Sequence, residues 1–284
     1  MNSRERVKAI FKGQKPDKIV RGSIDFNSGV MKEILGDEYA GDEIKDKINF
    51  AKKLEIDILP MAVLRMGGGK IVGRFGIVDG RNIFKDAKGN YYEILQNYKI
   101  VKLRSKKIED DKLPFNLCQR GGSLYCRDRG DYQWVVPSIK NLKDIKNHTL
   151  IFLLGAKIFP LAKLFLKTKD FSLIKRAKQE SDLFVMCGAS SAFASLSSHI
   201  FGGYDKFEKF LYKHPEPIKK LIRAFIKLQS RFMLEIIKAG ADGILICDDL
   251  ASGDGPFASP DIFREFFFDA MAGQVKMARK KGMG

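Results

Sequence analysis

Apolar and polar positions change period several times along this chain, and each change marks an element. Residues 3–12 carry apolar positions at helical spacing, with Asn2 or Ser3 as the cap and Glu5 three residues past Asn2 to close a capping box. A strand is expected near Ile19–Phe26, a helix over Asp42–Leu54, and a buried strand at Ile56–Met61. Residues 70–103 then alternate with period two, broken by turn signals at Asp79-Gly80 and Lys88-Gly89-Asn90, which predicts a small antiparallel meander. From 105 to 150 the pattern fades, and Trp134-Val135-Val136-Pro137 is the one strand-like piece. Ile151–Leu166 reads as a core helix with lysines on one side, kinked by Pro160, in preference to a membrane-surface helix.

The C-terminal half is more regular. A helix over 171–180, a strand at Leu183–Cys187, a small-residue segment Gly188–Ser198 and two helices between 204 and 238 lead to Ala239-Gly240-Ala241-Asp242-Gly243-Ile244-Leu245-Ile246-Cys247-Asp248-Asp249. That run is a short apolar strand ending in two carboxylates. Ser259 as N-cap and Pro260 at the first position then open another helix. Strands alternating with helices predict parallel βα units, with the meander as an excursion rather than a separate domain. Residues 1–284 are expected to be one domain, with barrel-type strands near 19–26, 56–61, 183–187 and 243–247.

Composition narrows the function classes. The net charge of +17 comes mainly from lysines spread along the whole chain, without a nucleic-acid-binding motif, so a solvated lysine surface is expected rather than a nucleic-acid interface. Such a surface also attracts anionic ligands. Apolar stretches are interrupted by Lys157 and Lys163 before reaching the roughly 20 residues of a membrane span, and the charged N-terminus is unlike a signal peptide, so a cytoplasmic protein without a membrane partner is expected. Cys118, Cys126, Cys187 and Cys247 form no CxxC pair and read as structural thiols; Cys118 and Cys126 would form a redox pair only if their loop folds back.

Three stretches together resemble the uroporphyrinogen decarboxylase (URO-D) superfamily, which holds heme-pathway decarboxylases and cobamide-dependent methyltransferases. They are Asn2–Ile10 with Gly13–Val20, then Gly202–Phe207 through His214-Pro215-Glu216, and the run from Ala239 to Asp249 with its following helix. The resemblance implies a (β/α)8 TIM-barrel type whose active site lies at the C-terminal ends of the strands. With four candidate strands, the barrel is expected to be incomplete at the C-terminus, with a small antiparallel β insertion near 70–103. An unclosed barrel would expose strand edges unless a partner covers them.

Charge separates the branches. The decarboxylases resembled here carry an RQxGR-type motif near the first strand, where this chain has Arg21-Gly22-Ser23-Ile24-Asp25-Phe26-Asn27. Where they place a serine after the acid of the GAD strand, this chain has Asp249, and where they place a tyrosine before an EGG-like turn it has Ser198. A second carboxylate would repel an anionic substrate by about 4 kcal/mol for a pair roughly 4 Å apart at an effective dielectric of roughly 20. The resemblance therefore points to the methyltransferase-like branch, acting on a small methylated substrate or thiol, with uroporphyrinogen decarboxylation and a non-catalytic fragment or binding subunit as alternatives.

Asp248 and Asp249 are the expected catalytic pair, for orienting a cationic or hydrogen-bonding group or for acid and base work, against capping a helix or pairing with an arginine. Asp25, Arg65, Ser190, Ser191 and His199 are expected substrate-binding residues, the serines through a Gly-rich turn after Cys187-Gly188-Ala189; Asp57 is expected to be structural. No cofactor is expected within this chain. The resemblance implies a corrinoid protein as partner, and a zinc held by an HxC motif and a later cysteine in thiol-using members, a set that no residue here inherits. A homo-oligomer stays open.

Overall fold

The computed structural model describes residues 1–62, 70–103, 108–120, 123–128, 131–162, 169–253 and 255–281. Three helices, α1 (Ser3–Phe11), α2 (Ser28–Leu35) and α3 (Glu43–Lys53), lead to strand β1 (Ile58–Ala62). Seven strands follow: β2 (Lys70–Val78), β3 (Arg81–Asp86), β4 (Tyr91–Ile94), β5 (Ile100–Lys102), β6 (Phe115–Arg120), β7 (Ser123–Asp128) and β8 (Asp131–Val136). Next come α4 (Leu142–Ala162), α5 (Lys169–Glu180), β9 (Phe184–Ser190), and α6 (Ala192–Ala194), which runs into a π-helical segment, Ser195–Ile200. Helices α7 (Tyr204–Lys213) and α8 (Pro215–Lys238) precede β10 (Gly243–Cys247). The short pair β11 (Ala251–Ser252) and β12 (Gly255–Pro256) leads to α9 (Pro260–Phe263), a π-helical segment Arg264–Phe268, and α10 (Asp269–Lys280).

The chain forms two compact units, one of residues 1–65, 148–192 and 219–284, the other of residues 66–147 and 193–218. The first is built on a parallel sheet of order β1-β9-β10, in which Ile58 pairs with Phe184 and Gly243 with Met186. Its strands are almost continuously apolar, as a sheet covered on both faces requires. Leu59, Val185 and Cys187 share a core with Ile48 and Ala51 of α3, Ile174 of α5 and Ile236 of α8. Capping works as the side chains dictate. Asn2 accepts from the Glu5 amide at 2.8 Å while Glu5 accepts from the Asn2 amide at 3.0 Å, and the Asp42 side chain accepts from the Ile44 and Lys45 amides at the start of α3.

The expected first strand near 19–26 does not form a ladder. It is an extended segment joined to the approach of β1 by one backbone bond, from the Asp57 amide to the Arg21 carbonyl at 2.8 Å. Ile19 and Ile24 are 85% and 78% exposed, so the apolar content that predicted a strand finds no neighbour on that side among the described residues. Helix α4 also differs from expectation. It begins at Leu142 and continues through Pro160, and it is only half a core helix. Phe152 and Phe159 meet Phe225 and Phe232 of α8 edge to face, at centroid distances of 5.3 and 4.4 Å, whereas Leu150, Ile151, Leu153, Leu154 and Ile158 are exposed.

In the second unit the antiparallel meander is larger than its sequence pattern, running past residue 103 to Val136 in the order β5-β4-β3-β2-β6-β7-β8. Phe75, Phe84, Leu117, Cys126, Val135 and Val136 form its core. Strands β6 and β7 pair with Leu117 opposite Cys126 and Cys118 opposite Tyr125. The segment between the two cysteines therefore folds back, but the register puts Cys118 and Cys126 on opposite faces. Both are buried free thiols, in line with a structural role. No helix among the described residues is long and apolar enough to cross a membrane.

Candidate functional site

The parallel strands of the first unit end together, and the polar residues that follow them are brought side by side. The Ser191 amide donates to the Cys247 carbonyl at 3.1 Å, extending the β9–β10 ladder by one rung past Ser190. Adjacent strands lie about 4.8 Å apart, so Ser190-Ser191 and Asp248-Asp249 leave the same edge of the sheet as neighbours. Asp248 is half-buried, Asp249 exposed and Ser191 buried. The expected Gly-rich turn is absent: Gly188, Ala189 and Ser190 belong to β9 and pair with Leu245, Ile246 and Cys247. Among the serines it is Ser191, just past the strand, whose amide bonds to Cys247, the residue ahead of the carboxylate pair.

Asp25 lines a cavity of about 460 Å³ beside the end of β1, together with Phe26, Tyr39, Glu43, Asp46 and Lys47. The Asp25 carboxylate accepts from the Phe26 amide at 2.8 Å, and Asn27 turns the chain into α2 by accepting from the Gly29 and Val30 amides. Lys47, buried on α3, donates to the Pro60 carbonyl of β1 at 3.3 Å and lies 3.5 Å from Glu43. Asp46, also buried, accepts from the Ala40 amide at 2.9 Å. Three carboxylates and one ammonium group thus line the cavity, and the ammonium is within 3.5 Å of Glu43. On a chain of net charge +17, this cavity and the Asp248-Asp249 edge are local concentrations of negative charge.

The opposite end of the sheet is occupied by structural ion pairs. Asp57, just before β1, accepts from Arg6 at 2.5 Å, from the Ser3 hydroxyl at 2.8 Å and from the Arg21 amide at 3.0 Å. Burial pushes its carboxyl up, but these three donors outweigh burial and hold it below the usual carboxylate range. The Arg21 guanidinium lies 3.5 Å from Glu55, also before β1. Asp242, just before β10, is buried and accepts from Arg4 at 3.1 Å, from the Val185 amide at 3.1 Å, and from Lys178. Burial lowers the Lys178 ammonium despite this partner. The acid of the GAD run therefore ties α1 to the sheet. Sequence reasoning missed Asp242, Arg6 and Lys47; the available signal was two arginines on the first helix together with an acid immediately ahead of each of two buried strands.

Two further expected residues are Arg65 and His199. Arg65 lies outside the described residues. His199 belongs to the second unit, in the π-helical segment, where its carbonyl accepts from the Ser123 hydroxyl at 3.1 Å. Cys187, inside β9, is buried, and burial pushes its thiol up to about 12, so it is protonated and unreactive at neutral pH. Cys247 is exposed. Among the described residues no three of His, Cys, Asp and Glu stand close enough to hold a metal ion.

No curated protein matches the chain. Residues 169–283 match the model of the family described as Uroporphyrinogen decarboxylase (URO-D), a segment that contains β9, helices α6 to α8, β10 with its carboxylate pair, and the closing helix α10. The apolar strand ending in Asp248-Asp249, the helix capped by Ser259 and the tether through Asp242 all lie within that match. Over residues 169–283, this chain is therefore similar to the URO-D family.

Proposed function

We propose that the chain is the substrate-binding part of a URO-D-family enzyme of (β/α)8-barrel type that acts on a small cationic methylated compound and passes its methyl group to a corrinoid-bearing partner. One observation carries this reading. The edge of the parallel sheet where a barrel enzyme keeps its chemistry gathers carboxylates, Asp248 and Asp249 after β10 and Asp25, Glu43 and Asp46 beside β1, on a protein that is otherwise strongly basic. A quaternary or protonated amine is the ligand such an edge attracts, and Phe26 and Tyr39 in the same cavity offer aromatic faces to it. Asp248, half-buried, fixes the nitrogen, and Asp249, exposed, draws the cation in. The corrinoid supplies the acceptor for the methyl group when its carrier is bound.

A substrate with many carboxylates is a poor fit. The arginine of the first segment, Arg21, pairs with Glu55 at the other end of the sheet. The test is to supply tetramethylammonium with reduced cobalamin, following loss of the reduced-cobalt absorbance, and uroporphyrinogen in a parallel reaction. Methyl transfer that drops at least tenfold in Asp248→Asn is expected. Decarboxylation of uroporphyrinogen at the same residue would overturn the reading, and tetramethylammonium binding without turnover would make the chain a binding subunit.

A further inference from the structure

A second site lies in the other unit, and it has the opposite charge. A cavity of about 760 Å³ opens where α7 ends, α8 begins and the chain enters α4. Four of its lining residues are Lys140, Lys209, Lys213 and His214. Among the described residues, none of the three ammonium groups has a carboxylate partner. The nearby acid Asp144 accepts from the backbone amide of Lys140 at 2.9 Å.

Two helices point their N-termini into this region. Asn141 caps α4 by accepting from the Asp144 amide at 3.1 Å, and the His214 carbonyl accepts from the Ile218 amide at 3.1 Å in the first turn of α8. Free amides at helix starts favour negative charge, adding to the lysines. Leu142, Phe210 and Tyr212 also line the cavity, beside Asn141, and Phe210 is held by Phe201 at a centroid distance of 5.4 Å. A volume in the range of small-molecule sites, lined by both cations and aromatic rings, matches a ligand that carries phosphate and a planar apolar body.

We propose that this cavity binds a phosphorylated small molecule with an aromatic ring system, of the nucleotide class, independently of the carboxylate edge of the other unit. The ammonium groups and His214 contact the phosphate oxygens, and Tyr212, 65% exposed, folds over the ring.

The test is isothermal titration of the full chain with AMP and with inorganic pyrophosphate at near-physiological salt. Three variants accompany it: Lys209→Gln with Lys213→Gln, Tyr212→Ala, and Lys12→Gln with Lys15→Gln. The last pair is exposed and far along the sequence, and it reports binding that depends on overall charge alone. Both probes are expected to bind the unaltered chain. The Lys209/Lys213 variant should weaken both about tenfold or more, Tyr212→Ala should weaken AMP and spare pyrophosphate, and the Lys12/Lys15 variant should change neither. All three substituted sets are on the surface, and circular dichroism confirms folding before titration. Absence of binding at millimolar probe, or equal losses in the two lysine variants, overturns the proposal. So does tight binding of a single-stranded RNA that the Lys209/Lys213 variant leaves intact.

Discussion

The Arg6 guanidinium and the Asp57 carboxylate meet at 2.5 Å, joining the first helix to the start of the first strand. Both side chains are buried, and Arg6 also grips Asp17 at 2.6 Å. Removing one partner of a buried pair leaves the other desolvated without full compensation. Asp57→Asn is expected to destabilise the fold by about 3 kcal/mol, less than a pair with no second acid because Asp17 remains. Urea unfolding checks this: the midpoint should fall with the slope unchanged.

The same pair sets the acid limit of stability. Asp57 and Asp17 are both held below the usual carboxylate range, Asp57 by donors that outweigh burial and Asp17 chiefly by its bond to Arg6. For a depressed carboxylate, the contribution is complete above the unfolded value of about 3.9 and disappears as pH falls toward the folded value. Thermal melts should therefore lose this contribution below about pH 4, and Asp57→Asn should flatten that part of the curve. A wild-type melting temperature that rises on acidification from pH 4 to pH 2 would contradict the assignment.

Thiol reactivity should divide the cysteines. Cys118, Cys126 and Cys187 are buried and Cys247 is exposed. Burial keeps the Cys187 thiol protonated at neutral pH. A colorimetric thiol titration of the native protein at pH 8 should show one fast group, abolished by Cys247→Ser, with the other three appearing only in denaturant. Fast labelling of Cys187 would mean that β9 is not buried as described.

Gly243 starts β10 where the strand passes Phe184. A β-carbon there would lie 2.7 Å from the Phe184 ring, closer than packed atoms tolerate. Gly243→Ala is expected to cost about 1–3 kcal/mol through overpacking. The double change with Phe184→Leu should recover part of that loss, and an unchanged single variant would rule out the contact.

What could be read from the sequence was local. The capping box of Asn2 and Glu5, the Asp42 cap, the Ser259 cap and the strands at 58–62, 184–190 and 243–247 depend on neighbours in sequence or on uninterrupted apolar runs. Strands 115–120 and 123–128 were hidden because antiparallel strands with one wet face carry Asn116 and Gln119 among their apolar residues, whereas strand 131–136 showed only its Trp134-Val135-Val136 end. The Gly121-Gly122 pair between them was an unread hairpin signal. Segment 19–26 shows the reverse error, since β-propensity without a partner on the outer side forms no ladder. The positions of Asp248, Asp249 and Ser191 were legible because they follow strand ends. Asp242 was not, because its partners Arg4 and Lys178 are distant in sequence.

The central claim is that the carboxylate edge of the parallel sheet selects a cation. The most direct measurement is calorimetric binding of tetramethylammonium against coproporphyrin, a tetracarboxylate, to the unaltered chain and to Asp248→Asn with Asp249→Asn. Tetramethylammonium is expected to bind and the double variant to weaken it at least tenfold, while coproporphyrin binds weakly. Coproporphyrin binding more tightly than tetramethylammonium to the unaltered chain, with no loss of the cation in the variant, would contradict it.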